Sequence, residues 1–370
     1  MIKKKLQNIF KKIFYRIFFI IYGKIEKSID CSEDKRIVVK KVTIEKDLTY
    51  RVYNISDGRL YTDRVHDTAV LIDNRIIKEP SFQLRYKGPF IHNSNINNNI
   101  VFEKGTPRKL RQLDGSVLSL LTGGGGNENY WHWLFDVLPR FALCEKIFSL
   151  NQINYFLLPD DAKKFQIESL NLMNIPKHKR LSSKKFRHIK AKELILTDHP
   201  VVITGDDTHD THNIPAWIIH WIKSVFINKN TSTSEKNKNR IYIDRDDTKS
   251  NSTPQRYISN EDEIKKYLLE KNFNLVKLHE IDFKKQIDLF YNAECIIGLH
   301  GAGLANVVFC RSGTRVIELQ STYAGPMYEN LAKKNDLNYS SIAVEAQQSS
   351  PNQQGNIKVP INSLKKILEN

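Results

Sequence analysis

Ile296-Ile-Gly-Leu-His-Gly-Ala-Gly-Leu-Ala-Asn306 reads as a buried strand that runs into a glycine turn and at once into a helix. Small residues at such a turn let main-chain N–H groups approach a ligand, and the helix start carries partial positive charge. The pair suits a phosphate or diphosphate. The order Gly298-x-x-Gly301-x-Gly303 is neither the G-x-G-x-x-G of dinucleotide sites nor a P-loop, which disfavours NAD and ATP. Tight strand–helix packing is the competing explanation for the same glycines.

Around this stretch the chain alternates regularly. Strands are predicted at Arg240–Asp244, Asn274–Leu278, Glu294–Leu299, Arg315–Leu319 and Asn338–Ala343. Helices are predicted at Glu261–Glu270, Phe283–Asn292, Leu304–Cys310 and Pro326–Lys334. Such alternation predicts a parallel sheet covered on both faces by helices. The first of these strands delivers Arg245 to the carboxyl end of the sheet, where ligands of doubly wound folds collect. Arg256 stands just before the next helix and can reach the same crevice. Two permanently charged guanidiniums suit a departing diphosphate, although ion pairs with Asp246 and Asp247 would explain them too. Asp244-Arg245-Asp246 has the outline of a metal-binding D-x-D, but its central arginine opposes a cation. Glu318 closes its strand where an acid accepts from ribose hydroxyls in many nucleotide folds.

The earlier half is less regular. Short β-rich runs (Arg36–Ile44, Ala69–Ile77, Asn99–Phe102, Val117–Leu121) precede a Thr122-Gly-Gly-Gly-Gly break. A helix is then predicted over Tyr130–Ile147, strands at Tyr155–Leu158 and Glu193–Thr197, and an apolar helix at Ala216–Ile227. On the first helix, Trp131, Leu134, Leu138, Phe141 and Ala142 share a core face. Glu128, His132, Asp136 and Arg140 fall at successive fourth positions on another, with Pro139 set to kink the line. A histidine held in one tautomer by a carboxylate one turn on is equipped as a base near neutral pH. The same pair also serves as a plain structural hydrogen bond.

At 370 residues, 40% apolar and 26% charged, the chain has material for two cores. Its boundaries are expected at 1–27 for a basic leading helix and 28–229 for an N-terminal domain. The polar stretch 230–239 reads as a linker, and 240–370 as a Rossmann-like domain. The net charge of +16 implies an anionic partner, and eight lysines and arginines against Glu26 alone give residues 1–27 a net of +7. Ile9, Phe10, Ile13, Phe14, Ile17, Phe18 and Ile21 recur there at helical spacing, while the longest unbroken apolar run is far too short to span a bilayer. This describes an amphipathic helix lying on an anionic membrane surface, with no small-residue cleavage site behind it. Four scattered cysteines without a C-x-x-C pair fit a reducing compartment and neither a disulfide framework nor a zinc site. No basic–aromatic platform for nucleic acid and no G-x-S-x-G hydrolase elbow is present.

Together these motifs resemble family 61 glycosyltransferases, which include bacterial capsular-polysaccharide enzymes. The likeness rests on Asn129-Tyr-Trp-His-Trp-Leu-Phe-Asp136, Leu138-Pro-Arg140, Arg245, Arg256, Ser259-Asn-Glu261, Phe283–Ala293, Gly298–Asn306 and Arg315-Val-Ile-Glu-Leu319. Asp244 departs from the small hydroxyl residue more often found there. The resemblance implies an α/β, GT-B-like fold of two Rossmann-like domains facing a cleft. It implies an inverting hexosyl- or pentosyltransferase that moves sugar from a nucleotide-sugar, a UDP-sugar first, to a glycan or glycolipid acceptor of surface polysaccharide or lipopolysaccharide. No cofactor is required, and a divalent metal is optional. His132 with Asp136 is the expected catalytic pair. Arg245, Arg256, His300, Gly301, Ala302, Gly303, Leu304, Asn306 and Glu318 are the expected donor contacts. The implied location is the cytoplasmic face of the cell membrane. A catalytically inactive nucleotide-sugar- or membrane-binding relative is the alternative.

Overall fold

A computed structural model describes residues 2–25, 28–45, 47–62, 68–81, 108–123, 129–160, 163–204, 207–227, 239–245, 256–347 and 356–369. The expected strand Asn99–Phe102, Glu128, Asp246, Asp247 and nearly all of the expected linker lie outside the described residues. The chain divides into two compact units: residues 1–166 with 174–210, and residues 167–173 with 211–370. The division therefore falls near 210 rather than in the polar stretch 228–239. Helix Ala216–Phe226 belongs to the second unit because Phe226 packs edge-on to Phe283 and Phe309.

The first unit carries strands β1 (Ser28–Ile29), β2 (Ile37–Glu45), β3 (Leu48–Ser56), β4 (Arg59–Thr62), β5 (Thr68–Ile72), β6 (Arg75–Ile77), β7 (Arg111–Ser119), β8 (Tyr155–Leu158), β9 (Arg180–Ser182) and β10 (His188–Thr197). They form one mixed sheet in the order β1-β6-β5-β4-β10-β7-β8-β9, with β3 also pairing β10 and β2 beyond it. The run β10-β7-β8-β9 is parallel, whereas β2, β3, β4, β5 and β10 meet antiparallel. This corrects the expectation of a Rossmann-like sheet on this side. The cause is local: β5 and β6 are joined only by Asp73 and Asn74, Asp73 at φ 53°, and so short a turn makes a hairpin rather than a crossover.

The leading helix Ile2–Tyr22 ends at Gly23, whose φ of 83° suits a C-terminal cap. Phe18 is buried against Tyr61 and His188, which fixes the helix end on β4 and β10. The expected helix Tyr130–Ile147 is instead three segments: α-helical Tyr130–His132, a π-helix over Trp133–Val137, and α-helical Pro139–Glu145. Pro139 offers no N–H and crowds the carbonyl four residues back, and the ladder widens to Leu138 N–H donating to Trp133 O at 3.1 Å. Its expected core face is buried, but so are Trp133, Phe135 and Val137. The helix is buried on most of its faces.

In the second unit β11 (Asn239–Ile243), β12 (Phe273–Val276), β13 (Ala293–Leu299), β14 (Arg315–Ser321) and β15 (Asn338–Val344) form an all-parallel sheet in the order β12-β11-β13-β14-β15. This is the expected doubly wound arrangement, and its strand order reverses between β11 and β13. Tyr242, Ile297 and Ile317 lie side by side across three strands and meet Ile264, Leu268 and Leu364 from two helices. The segment after β13 is a 3-10 helix, Ala302–Phe309, starting two residues before the expected helix.

Candidate functional site

The carboxyl ends of β11 and β13 release Arg245 and His300 at the point where strand order reverses. Arg245 Nη1 donates to the His300 carbonyl at 3.4 Å, and its guanidinium occupies the space that a side chain at Gly301 would need. Gly298 and Gly303 have a different reason for being glycine. A Cβ there would come within 3.1 Å of Ile243 and Leu304, or of Leu278, so they permit the helix to pack on the strands. Both explanations of the glycine turn hold, at different positions.

Arg256 is half-buried, and burial, then the charge of Arg245, lowers its affinity for a proton, with Tyr328 and Glu318 opposing. The charge of Arg245 therefore bears on Arg256. Arg256 Nη1 is buried and has no hydrogen-bond partner among the described residues. Two cations that feel each other, one with an unmet donor, suit an anion.

His300 itself is enclosed. It is 2% exposed, its Nδ1 pairs with Glu318 Oε1, and its ring meets Tyr328 edge-on at 5.1 Å. Glu318 is 0% exposed and its other oxygen accepts from the Tyr339 hydroxyl at 2.5 Å. The strand-end acid anticipated as a ribose acceptor thus already has both oxygens engaged by protein groups. Asn306 is likewise fully buried, donating to Gln286 Oε1 and the Gly303 carbonyl. Ala302 and Gly303 are partly exposed, while Leu304 is buried and its amide bonds back to Gly301 O at 2.9 Å. Asp244, the first acid of the D-x-D outline, takes Lys265 Nζ at 2.7 Å, so a lysine stands where that motif would put a cation.

In the first unit, Asn129 caps the helix start by accepting from Trp131 N, which sets the register of the next two turns. His132 Nδ1 then meets Asp136 Oδ2 at 2.6 Å, leaving the His132 side chain 35% exposed and that of Asp136 11% exposed. With Nδ1–H facing the carboxylate, Nε2 is the nitrogen left to accept a proton. Burial would raise the Asp136 carboxyl, but His132, then His199 and Arg140, hold it below its usual value. Arg140 remains on the line despite Pro139: it is fully buried and its Nε donates to the Asp136 carbonyl at 2.7 Å. Burial pushes its guanidinium down to about 9 against the pull of Asp136 and Asp198.

A cavity of about 660 Å³ opens at the end of β10, walled by Lys41, Tyr50, Arg51, Asp198, His199 and Thr204 among others. None of these was singled out from the sequence. Asp198-His199-Pro200 directly follows a strand, and that position was the one available signal.

A doubly wound sheet with paired arginines at its switch point, and a histidine–carboxylate pair on a helix of a separate unit, belong to a sugar-transferring enzyme. The family model for glycosyltransferase 61 matches residues 130–317, just over half of the chain, beginning at the His132 helix and running through Arg245, Arg256 and His300. The chain belongs to the glycosyltransferase 61 family and is a glycosyltransferase. Membership implies a nucleotide-sugar donor and a glycan acceptor. No curated protein matches the chain.

Proposed function

We propose that this enzyme transfers a sugar with inversion from a UDP-sugar to a glycan or glycolipid acceptor in the synthesis of a bacterial surface polysaccharide, capsular or lipopolysaccharide. The second unit binds the donor and the first the acceptor. The observation that carries the donor reading is that Arg245 fills the space beside Gly301 while its charge bears on Arg256, whose Nη1 is unmet among the described residues.

His132 Nε2 takes the proton of the acceptor hydroxyl as that oxygen attacks the anomeric carbon from the face opposite the diphosphate. Asp136 holds the ring and stabilises the imidazolium. Arg245, Arg256 and the main chain at Gly301–Gly303 neutralise charge growing on the departing diphosphate. His300, braced by Glu318 and Tyr328, holds the turn that carries Gly301. With two fixed cations in place, the reaction has no obligate need of a metal.

Half of the sixteen large apolar side chains exposed among the described residues lie on the helix Ile2–Tyr22, from Leu6 to Ile21. No helix among the described residues is long and apolar enough to cross a membrane. With the +7 charge of the leading segment, this supports attachment to the anionic cytoplasmic surface of the cell membrane, where lipid-linked acceptors are built.

Incubating the purified chain with a panel of nucleotide-sugars, with and without EDTA, tests the catalytic reading. Acceptor-dependent release of UDP that survives the chelator is expected. Release of another nucleotide, or loss of turnover in EDTA, would reject the UDP or metal-independent part. Co-sedimentation with vesicles containing phosphatidylglycerol, lost on Ile13→Asp with Ile17→Asp, tests the attachment.

A further inference from the structure

The loop after β10 is tied down at every few residues. Asp198 takes Arg51 Nε at 3.0 Å and the Tyr53 hydroxyl at 2.8 Å, and Pro200 O accepts from the Tyr50 hydroxyl at 2.8 Å. Asp210 accepts from the amides of Ile203 and Thr204 at 2.9 and 3.0 Å. His199 sits inside this frame, 3% exposed. Its Nδ1 accepts from the Val201 amide at 3.3 Å, which places the ring proton of the neutral form on Nε2. Nε2 is buried, has no hydrogen-bond partner among the described residues, and stands 3.8 Å from Asp136 Oδ2. That is the oxygen met by His132 Nδ1.

A neutral ring is what the surroundings select. Burial drives His199 down to about 3, Arg140 and His132 add to this, and Asp136 and Asp210 oppose it without prevailing. A neutral Nε2–H directed at a carboxylate is a donor, and an approach about 0.7 Å closer would bring it within hydrogen-bonding distance. A buried N–H left unpaired is costly, so the pair has reason to close. His199 is also among the residues that line the 660 Å³ cavity.

We propose that His199 is a positioning residue of the transfer reaction: its Nε2–H holds Asp136 Oδ2 as a second donor beside His132, fixing the carboxylate that orients the base. The proposal rests on the reading of His132 as the base. Sharing the oxygen limits how strongly Asp136 stabilises the His132 imidazolium, so the base returns its proton readily. Without His199 that oxygen is no longer shared, and His132 holds its proton too tightly.

The test uses the full chain labelled with ¹⁵N-histidine. In the wild type, Nε2 of His199 is expected to be protonated throughout the range in which His132 titrates. His199→Phe removes the donor, and His199→Gln keeps an N–H near the Nε2 position. In the Phe variant the midpoint of His132 should rise and kcat should fall about 10- to 100-fold, the worth of a hydrogen bond to a charged group, with donor KM unchanged. The Gln variant should restore both. A wild-type His199 that carries its proton on Nδ1, a His132 midpoint indifferent to the Phe change, or a Gln variant no better than Phe overturns the proposal. Should His199→Phe not fold, the wild-type tautomer and the Gln variant still decide. His132→Ala is assayed beside them: full turnover there rejects the base assignment, while the ring titrations judge His199 on their own.

Discussion

Each unit contains a histidine paired with a carboxylate, and the two pairs behave differently because of where they sit. His132 and Asp136 lie one turn apart on a helix, with a third of the histidine side chain open. His300 follows the end of β13 and Glu318 lies mid-way along the neighbouring parallel β14, and the pair is sealed, with Tyr339 closing the second carboxylate oxygen. An exposed pair can exchange a proton with a substrate. A sealed one has no route for it and serves to hold the turn that carries Gly301. Residue types alone do not separate acid–base chemistry from scaffolding; access does.

The contrast breaks most visibly at His132. His132→Ala should lower turnover by about 10²–10⁴ and leave UDP binding intact, as loss of a base does. Steady-state assays together with calorimetry check both halves, and equal loss of UDP affinity would merge the two sites the contrast separates. Glu318→Ala should act through the fold instead. Removing one partner of a buried pair costs about 3–5 kcal/mol, read as a lower melting temperature and unfolding in less denaturant. A stable but inactive Glu318→Ala protein would make the sealed pair a chemical one after all.

Arg245→Ala and Arg256→Ala test the region between those extremes. Each should weaken UDP binding about 10- to 100-fold, the worth of a charge-assisted hydrogen bond, and less so in high salt. An affinity unchanged in either variant would return that arginine to a surface or structural role.

An acid effect is expected on the stability of the first unit. Burial pushes His188 from 6.5 down to about 4, with Arg59 adding to it and the Arg108 carbonyl opposing. Between those values the unfolded chain binds the proton and the folded one does not, so stability falls as pH drops from 6.5 towards 4 and is steady above. The loss is on the order of 3 kcal/mol at most. His188→Gln should flatten the slope of denaturation midpoint against pH over that window; an unaltered slope would assign the acid sensitivity elsewhere.

Much of the second unit was legible because its signals are local. Arg240 to Ala343 alternates apolar strands and amphipathic helices, and each piece buries itself largely where its own period directs. The helix Glu261–Glu270 appears with its predicted bounds. The first unit was less so: β2, β5 and β6 fall on predicted β runs but β3 and β4 do not, and β3 and β10 meet from positions about 140 residues apart. Asp73-Asn74 lies inside Ala69–Ile77, which reads as one β run, so the hairpin it closes was not legible. Among site residues, His132 with Asp136 was visible through i, i+4 spacing, and Arg245 through its strand end. Tyr328, Tyr339 and His199 were not, because nothing near them in sequence announces a partner.

Sequence by itself determined the alternation that makes the parallel sheet, the spacing that pairs His132 with Asp136, and the glycine turn after β13. All follow from backbone geometry within a few residues. Tertiary structure alone decided which histidine–carboxylate pair is open, that Gly301 clears a place for Arg245, that Arg256 shares its field, and that His199 faces Asp136. Burial and charge coupling depend on what long-range folding brings within a few ångströms, and no local pattern encodes that distance.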